Sequence, residues 1–342
     1  MSHTSSQPQP DGALLLAGDI GGTKTTLALY SMAAGPFAPV AQATSPSREF
    51  ASLEAIVAVF LQDHPAQPRR ASFGIAGPVV DGRVQATNLP WVIEEQAFSA
   101  WLGAPVRLLN DLAAIAHAVP NLRAEDVVTL NAGAAAAQAP LGVIAPGTGL
   151  GEAFLLWTGG AYQPFASEGG HADFAPNTPL GAELLAYLRS RLGHVSYEQV
   201  CSGRGLPNLY AFLRDSRRYI EPDWLTAELA SAPDPTRVIV RAGVEGRAEI
   251  AVAALELFRD ILAAEAGNLA LRVLATGGVY LGGGLPPRLL DFLKTEAFVR
   301  VFTAKGRFSD FLARVPVHVI RNPEAALVGA ACHGLEAEGY HA

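Results

Sequence analysis

Short apolar blocks alternate with segments whose apolar residues recur at helical spacing, a pattern typical of an α/β protein. The apolar blocks predict strands at 14–17, 25–30, 70–75, 106–109, 141–144, 154–158, 273–274 and 315–320. Helical spacing predicts helices at 51–62, 112–119, 180–192, 206–213 and 245–269, another after Pro286, and a last one from Pro323 to about Leu335. Strands and helices alternate in the first third of the chain, and helices dominate later.

A glycine-rich turn joins two predicted strands twice, at 18–23 and at 147–151. The repetition indicates either a duplicated architecture or two turns that arose independently in a glycine-rich chain. The first turn, GDIGGTKT, departs from the Walker phosphate loop because its sixth residue is Thr23 and because a strand follows it where a helix should begin. It is therefore either an anion-binding hairpin formed by backbone N–H groups or an ordinary glycine hairpin.

The second turn has the sequence GTGLG, and its glycines stand two residues apart. This spacing differs from the GxGxxG fingerprint of dinucleotide-binding proteins, which argues against a hydride-transfer enzyme. Backbone without side chains and a single hydroxyl suit close approach to phosphate oxygens.

Polar residues follow several of these segments. Asn110 and Asp111 stand between a predicted strand and a predicted helix, where such residues commonly cap the helix. Glu168 and His171, in the sequence EGGH, suit a hydroxyl-binding loop better than a metal site, because no third nitrogen ligand or HExxH helix accompanies them. Glu198 taken alone fits a solvated helix charge.

Composition narrows the class of function. The length of 342 residues favours two domains, and half of the residues are apolar, as in a soluble globular protein. There are 25 basic and 32 acidic residues, a net charge of −7 and no basic tract, so we expect no binding to nucleic acid or to a membrane. Two cysteines without a CxxC pair and the lack of a signal peptide or membrane span predict a cytoplasmic protein with reduced thiols. Residues 1–12 are predicted to be a disordered tail.

Taken in order, eight segments closely resemble the bacterial glucokinase family. They are DIGGTK at 19–24, FGIAGPV at 73–79, TNLPW at 87–91, LLNDLAAIAHAV at 108–119, PGTGLG at 146–151, SEGGHADFAP at 167–176, YEQVCSGRGLPNLY at 197–210 and ATGGVYLGGG at 275–284. The resemblance runs from about residue 14 to 335. It implies a two-domain α/β fold of the actin-like ATPase (ribonuclease H-like) type with an interdomain cleft. The small domain would comprise 13–121 plus 322–342, and the large domain 122–321.

The resemblance also implies an ATP-dependent hexose kinase that phosphorylates D-glucose at the 6-hydroxyl, giving glucose 6-phosphate and ADP. The family's catalytic base matches Asp111, which would accept the hydroxyl proton as the sugar oxygen attacks the γ-phosphoryl group. The residues that match or lie near the family's sugar ligands are Asn88, Asn110, Asp111, Glu168, His171 and Glu198.

The same resemblance locates the nucleotide, a magnesium ion and a partner. The implied nucleotide-binding residues are Gly18, Asp19, Ile20, Gly21, Gly22 and Thr23 in the first turn, Gly147, Thr148 and Gly149 in the second, and Gly282 and Gly283 near the adenosine. Asp19 matches the acidic residue that holds Mg²⁺ through water. The family resemblance further implies a homodimer.

Two departures and two alternatives accompany the resemblance. Lys24 stands where many members have Asn, and the sequence assigns it no role. The related sugar-responsive repressors carry a cysteine-rich zinc motif and a helix-turn-helix segment, and this sequence shows neither.

The alternatives are a kinase for another hexose or an N-acetylhexosamine, and a non-catalytic sugar sensor. A sensor needs neither Asp111 nor two phosphate turns.

Overall fold

The computed structural model describes residues 13–336, so the predicted disordered tail and residues 337–342 of the predicted small domain lie outside the described residues. The described chain forms two compact units. Unit 1 comprises residues 13–122 and 323–336, and unit 2 comprises residues 123–322. Each unit has its own main sheet and its own apolar core.

The first part of unit 1 alternates strands with helices. Its elements are β1 (Leu14–Ile20), β2 (Lys24–Ser31), β3 (Pro39–Pro46), α1 (Leu53–Asp63), β4 (Arg70–Ile75), β5 (Val79–Val80), β6 (Arg83–Gln85), β7 (Val92–Glu94), α2 (Glu95–Leu102), β8 (Val106–Asn110) and α3 (Asp111–Ala118). The main sheet has the order β3-β2-β1-β4-β8. Strands β1, β4 and β8 are parallel, and β2 is antiparallel to both of its neighbours, β1 and β3. Strands β5, β6 and β7 form a small antiparallel sheet.

Side chains along β1 alternate between the two faces of this sheet. Leu16 and Ile20 belong to a core cluster that includes residues of α1. Leu15 and Ala17 point to the opposite face and pack in a separate cluster. Because successive strand residues face opposite sides, Asp19 lies on the face of Leu15 and Ala17, at the carboxyl end of the strand.

Unit 2 starts with strands and continues mainly as helices. Its elements are β9 (Val127–Asn131), β10 (Leu141–Pro146), β11 (Leu150–Trp157), β12 (Tyr162–Ser167), α4 (Pro179–Leu192), α5 (Leu206–Asp215), α6 (Asp223–Ser231), α7 (Pro235–Val244), α8 (Glu249–Val273), β13 (Gly278–Leu281), α9 (Leu290–Leu293), α10 (Glu296–Thr303), α11 (Ser309–Ala313) and β14 (Val317–Ile320). The sheet order is β12-β11-β10-β13-β14-β9.

The chain returns to unit 1 as α12 (Ala325–Glu336), which covers the second face of the first sheet. Leu327, Ala330 and Leu335 of α12 pack with Leu15 and Ala17 of β1. Within the described range, none of the helices combines the length and the apolar character needed to cross a bilayer.

The two main sheets repeat one strand order. In each, a first strand pairs antiparallel with the second through a glycine turn, and a third strand adds antiparallel to the second. Two later strands then add in parallel on the other side of the first. Unit 2 carries β9 as an additional antiparallel edge strand. The hypothesis of a duplicated architecture is therefore confirmed at the level of strand order.

The predicted strand at 273–274 is wrong. Helix α8 continues through Val273, and Leu274 ends it with a left-handed backbone at φ 51°. The strand follows four residues later, as β13. Two apolar residues at a helix end and a two-residue strand have the same pattern, so periodicity cannot separate them.

The predicted helix at 245–269 has the wrong start. Helix α7 ends at Val244, Gly246 turns the chain with φ 64°, and α8 begins at Glu249. The segment after Pro286 begins as a 3₁₀ turn before α9. The other predicted strands and helices fall on β1, β2, β4, β8, β10, β11, β14, α1, α3, α4, α5 and α12.

Candidate active site

The first glycine turn is a hairpin that Ser47 holds closed. The N–H of Gly21 donates to the carbonyl of Lys24 at 3.0 Å. Ser47 binds the turn twice, since its Oγ donates to the Gly21 carbonyl at 2.7 Å and its N–H donates to the Thr23 carbonyl at 3.0 Å. Because β2 begins at Lys24, a strand and not a helix follows the turn, which excludes a Walker-type loop. Sequence reasoning missed Ser47, which belongs to no motif.

Packing explains the identities of Gly18 and Ile20. A side-chain carbon on Gly18 would lie 2.7 Å from Phe73 and 2.8 Å from Leu27, so the core leaves room for hydrogen only. Ile20 is 1% exposed and belongs to the same core cluster. Contact of these two residues with nucleotide stays a prediction.

Asn88 lies against the first turn. A side-chain carbon on Gly22 would lie 3.1 Å from Cβ of Asn88, so the small residue makes room for the amide. Asn88 has φ 66°, a left-handed backbone that Asn tolerates better than most residues. The preceding N–H, of Thr87, donates to the carbonyl of Ala76 at 2.8 Å and ties the segment to the end of β4. A predicted sugar ligand and a predicted phosphate turn are thus neighbours within unit 1.

Asn110 and Asp111 lie where β8 becomes α3. Ile20, Ile75 and Asn110 are register partners at the carboxyl ends of three parallel strands, so these ends meet at one edge of the sheet. Asn110 caps α3, because its Oδ1 accepts the N–H of Ala113 at 2.6 Å. The capping function is confirmed, and it leaves the two N–H donors of the Asn110 amide outside this bond.

Asp19 and Asp111 influence each other electrostatically. Burial raises the pKa of Asp19 to about 6, the negative charge of Asp111 acts in the same direction, and the positive charge of Lys24 opposes both. Burial also raises the pKa of Asp111, whereas the N–H of Leu112, which donates to Oδ1 at 2.9 Å, lowers it. Since Asp111 keeps an exposed surface, solvent limits the size of its shift. Unit 1 therefore presents two carboxyl groups beside a glycine turn.

The second glycine turn follows β10 and is held by a distant segment. The N–H of Gly147 donates to the carbonyl of Gly149 at 2.9 Å. The N–H of Gly203 donates to the carbonyl of Gly147 at 2.8 Å, and that of Arg204 donates to the carbonyl of Thr148 at 3.2 Å. These backbone bonds fix the turn and leave the Thr148 hydroxyl outside them.

Glu198 supports the second turn directly. Its Oε2 accepts the N–H of Leu150 at 3.0 Å, and a side chain on Gly149 would collide with the same oxygen. Glu198 is half-buried in the 3₁₀ turn Tyr197–Gln199. The alternative of a solvated helix charge is therefore wrong for this residue.

Glu168 and His171 are open side chains on a tight turn. The chain forms a single 3₁₀ turn over Gly169–His171 after β12. The side chain of Glu168 is 88% exposed and that of His171 is 60% exposed, with 3.9 Å between Oε2 and Nε2. Both groups are therefore available to a ligand from solvent.

Leu150, the first residue of β11, connects these parts of unit 2. Its N–H binds Glu198, and its carbonyl lies where a side chain on Gly170 would stand. A side chain on Gly169 would collide with Oε2 of Glu152, also on β11. The Glu168–His171 loop, the second turn and Glu198 are thus brought together around the start of one strand.

Gly282 and Gly283 lie beside the second turn. The N–H of Gly282 donates to the carbonyl of Ile144 at 2.9 Å. Gly283 has φ 78°, and a side-chain carbon there would lie 2.7 Å from the carbonyl of Pro146. Because β10 and β13 are parallel neighbours, the turns after them emerge at the same sheet edge.

Comparison with known proteins assigns the chain to a family. A family model described as Glucokinase matches residues 16–337. The chain belongs to the glucokinase family. A glucokinase of Nostoc sp. is 40% identical to this glucokinase-family chain over 334 residues, covering 93% of this chain and 98% of that protein.

Solved structures agree with this assignment. The crystal structure of a glucokinase from an Antarctic psychrotroph matches with a TM-score of 0.83 at 34% identity, covering 94% of this chain and 98% of that one. A ROK family glucokinase from Streptomyces griseus, in complex with glucose and AMPPNP, matches with a TM-score of 0.61 at 21% identity over 93% of this chain and 98% of that one. The second likeness shows the fold alone. The predicted fold class and the predicted family of hexose kinases are confirmed.

Proposed function

We propose that this chain transfers the γ-phosphoryl group of ATP to the 6-hydroxyl of D-glucose, giving glucose 6-phosphate and ADP. The observation that carries the proposal is the carboxyl group of Asp111 at the start of α3, beside the edge where three parallel strands end. The glucokinase relative and the Streptomyces griseus glucokinase with glucose and AMPPNP support this sugar and this nucleotide.

Asp111 is the catalytic base in this proposal. The sugar 6-hydroxyl gives its proton to the Asp111 carboxylate while its oxygen bonds to the γ-phosphorus, and the bond to the β,γ-bridging oxygen breaks as ADP leaves. A pKa raised by burial makes this carboxylate a better proton acceptor. Phosphoryl transfer depends mainly on position and charge stabilisation, so one oriented carboxylate is sufficient.

The other sugar hydroxyls are assigned to the polar residues that match or lie near the family's sugar ligands. Carboxylates accept hydroxyl protons, and amide and imidazole groups donate or accept them. The exposure of Glu168 and His171 supports their assignment. The full set is Asn88 and Asn110 in unit 1 and Glu168, His171 and Glu198 in unit 2.

The two glycine turns are assigned to the nucleotide phosphates. Backbone N–H groups that are not bonded within a tight turn attract anions without a helix dipole. The N–H groups of Gly21 and Gly147 are bonded within their turns, so these two glycines would contribute by letting phosphate approach the backbone closely. The phosphate-binding residues would be Gly21, Gly22 and Thr23 in unit 1 and Gly147, Thr148 and Gly149 in unit 2, with Gly282 and Gly283 near the adenosine. Gly18 and Ile20 would contribute only by shaping the first turn, since their side-chain positions face the core.

Asp19 would hold Mg²⁺ through water. Mg²⁺ usually keeps several waters and takes one or two carboxylates besides phosphate oxygens, so a single carboxylate fits it. The repulsion from Asp111 also favours a cation at this position. Among residues 13–336 no cluster of three or more metal-ligating side chains occurs. When bound, Mg²⁺ neutralises phosphate charge.

The compartment and the oligomeric state belong to the same proposal. Cys201 and Cys332 are free and buried, which supports work in the reducing cytoplasm. A homodimer rests on the family resemblance, and light scattering of the purified chain tests it. A monomer at working concentration would contradict the dimer and leave the reaction unaffected.

A coupled assay of sugar phosphate formation tests the reaction. The purified chain is given glucose, mannose or N-acetylglucosamine with ATP, ADP or polyphosphate, with and without Mg²⁺. We expect glucose and ATP with Mg²⁺ to exceed every other pair by about tenfold or more. Sugar binding without transfer from any donor would indicate a sensor, and preference for the N-acetylated sugar would indicate the other kinase.

A further inference from the structure

Unit 2 buries two neighbouring carboxyl groups, and one of them lies against the Glu168–His171 loop. Glu152 on β11 is 1% exposed, and Glu265 on α8 is completely buried. Glu152 is the register partner of Ile144 on β10, which packs in the same core cluster as the apolar residues of α8. Burial of an ionised carboxylate is costly without compensating partners, so the groups around the pair decide its charge.

The hydrogen-bond donors near the two carboxyl groups lie closer to Glu265 than to Glu152. Arg272 donates to Glu265 Oε1 at 2.5 Å, and Asn268 donates to its Oε2 at 2.8 Å. Arg272 is 3.8 Å from Glu152 Oε2, and Glu152 Oε1 has no hydrogen-bond partner within the described residues. The polar and titratable groups facing the pair are Ser167 at the end of β12, Tyr197 and Cys201 after α4, Asn268 and Arg272 on α8, and Lys305 after α10.

A neutral Glu152 fits this arrangement better than an anion, because no donor among the described residues reaches Oε1. The neutral carboxyl group donates a hydrogen bond to Glu265, and the repulsion between two buried anions disappears. Burial raises the pKa of Glu152 to about 8, the charge of Glu265 adds to this effect, and Arg272 opposes it. Glu152 therefore carries its proton at neutral pH.

Glu152 touches the loop through two contacts. Gly169 lies directly over the carboxyl group, where a side chain would collide with Oε2. Ser167 Oγ donates to the Glu152 carbonyl at 3.1 Å and accepts the N–H of Gly169 at 3.2 Å. An ionised Glu152 needs water or a new donor in the space that Gly169 fills. Its hydration would displace the turn that carries His171.

We propose that Glu152 is a positioning residue for the loop that carries Glu168 and His171, and that it supports this loop as an uncharged carboxyl group hydrogen-bonded to Glu265. The inference rests on the proposed binding of glucose by the loop. Glu152 is buried and acts on the sugar only through Gly169.

Calorimetric titration of glucose into the full chain at about pH 7 and about pH 9 tests the proposal. Raising the pH across this range removes the proton from Glu152, so we expect glucose affinity to fall about tenfold. Glu152→Gln is uncharged at both pH values and should lose this dependence. Glu265→Gln removes the neighbouring anion and should move the fall to lower pH. Glu256→Gln, at an exposed position of α8, is the matched control and should keep the pH dependence of the unaltered chain.

The outcomes separate this inference from the proposed function. A full tenfold fall in Glu152→Gln, or no fall in the unaltered chain, overturns the inference and points to another group such as Lys305. Thermal melting shows whether Glu152→Gln folds. If it does not fold, Glu265→Gln is the deciding variant, and the inference is overturned if its glucose affinity falls at the same pH as in the unaltered chain. An unaltered chain that binds no glucose at pH 7 removes the proposed function itself, and the inference with it.

Discussion

Glu168 and Glu198 are both assigned to sugar hydroxyls, but the structure holds them differently. Glu168 is open to solvent and has His171 as its neighbour at 3.9 Å. Glu198 is half-buried and accepts the N–H of Leu150 at 3.0 Å. Removing a side-chain acceptor of a part-buried N–H costs stability, whereas changing an exposed carboxylate does not. The two residues should therefore respond differently to substitution.

Glu168→Gln is expected to weaken glucose affinity about tenfold and to leave the melting temperature unchanged. Glu198→Ala should weaken glucose and ATP affinity together and lower the free energy of unfolding by about 1–3 kcal/mol, because Leu150 loses its acceptor. Glu198→Gln keeps an acceptor and is the control for stability. Calorimetry with each ligand and thermal melting measure these effects. Equal melting of the two Glu198 variants, or unchanged glucose affinity in Glu168→Gln, would contradict the corresponding assignment.

The candidate site residues could be predicted from the sequence where they stand next to a glycine turn or a strand end. Asp19, Asp111 and the EGGH loop all have such local signals. Ser47 and Glu152 have none, because they act across the fold. Ser47 binds the first turn from 26 residues away, and Glu152 reads as one polar residue in an apolar strand.

At the scale of elements, Asn110 joins stability to the site because it caps the helix that begins with Asp111. Asn110→Ala should lower the free energy of unfolding by about 1 kcal/mol, and Asn110→Ser, which can also cap, should restore most of it. Both variants lose the amide and should bind glucose more weakly. Chemical denaturation and calorimetry separate the two effects. Full recovery of glucose affinity in Asn110→Ser would mean that Asn110 is a cap only.

The position of α3 depends on a close approach to α12 at Gly329. A side chain at Gly329 would collide with the carbonyl of Ala114 on α3. Gly329→Ala gains about 1 kcal/mol in helix propensity, yet the collision should produce a net destabilisation of about 1–3 kcal/mol and a lower melting temperature. Gly160→Ala, at a turn where nothing lies within 4 Å of the added carbon, is the control. Equal or higher melting of Gly329→Ala would contradict this packing.

Long amphipathic helices and buried strands could be predicted from periodicity, and short or edge elements could not. Strands β5, β6 and β7 have two or three residues each, too few to show alternation. Strand β3 is mostly exposed and mixes small apolar residues with Gln42, Thr44 and Ser45, so it lacks an apolar run. The error at 273–274 arose at the end of α8, because two apolar residues before a glycine turn fit either a helix end or a short strand.

At the scale of the whole chain, two units repeat one strand order, with a glycine turn after β1 in unit 1 and after β10 in unit 2. In the sequence, only the two glycine turns indicate this repetition, because two sheets can have the same strand order without similar residues. The two hairpins, β1–β2 and β10–β11, could be predicted, because in each a short glycine turn separates two apolar strands. The parallel additions could not, because they pair segments far apart in the chain.

The central claim is that Asp111 removes the proton from the sugar hydroxyl during transfer. Asp111→Asn keeps the shape and one acceptor oxygen but cannot take the proton, so kcat should fall by about 10²-fold to 10⁴-fold. Glucose affinity should stay within about tenfold, because the amide still binds a hydroxyl. Asp63→Asn, at an exposed residue of α1, is the control.

The decisive measurement is kcat for glucose phosphorylation by Asp111→Asn under saturating glucose and Mg²⁺-ATP, with glucose affinity measured on the same preparation. A large fall in kcat with nearly intact affinity is the predicted result. A preserved kcat with only KM raised would show that Asp111 binds sugar without acting as the base.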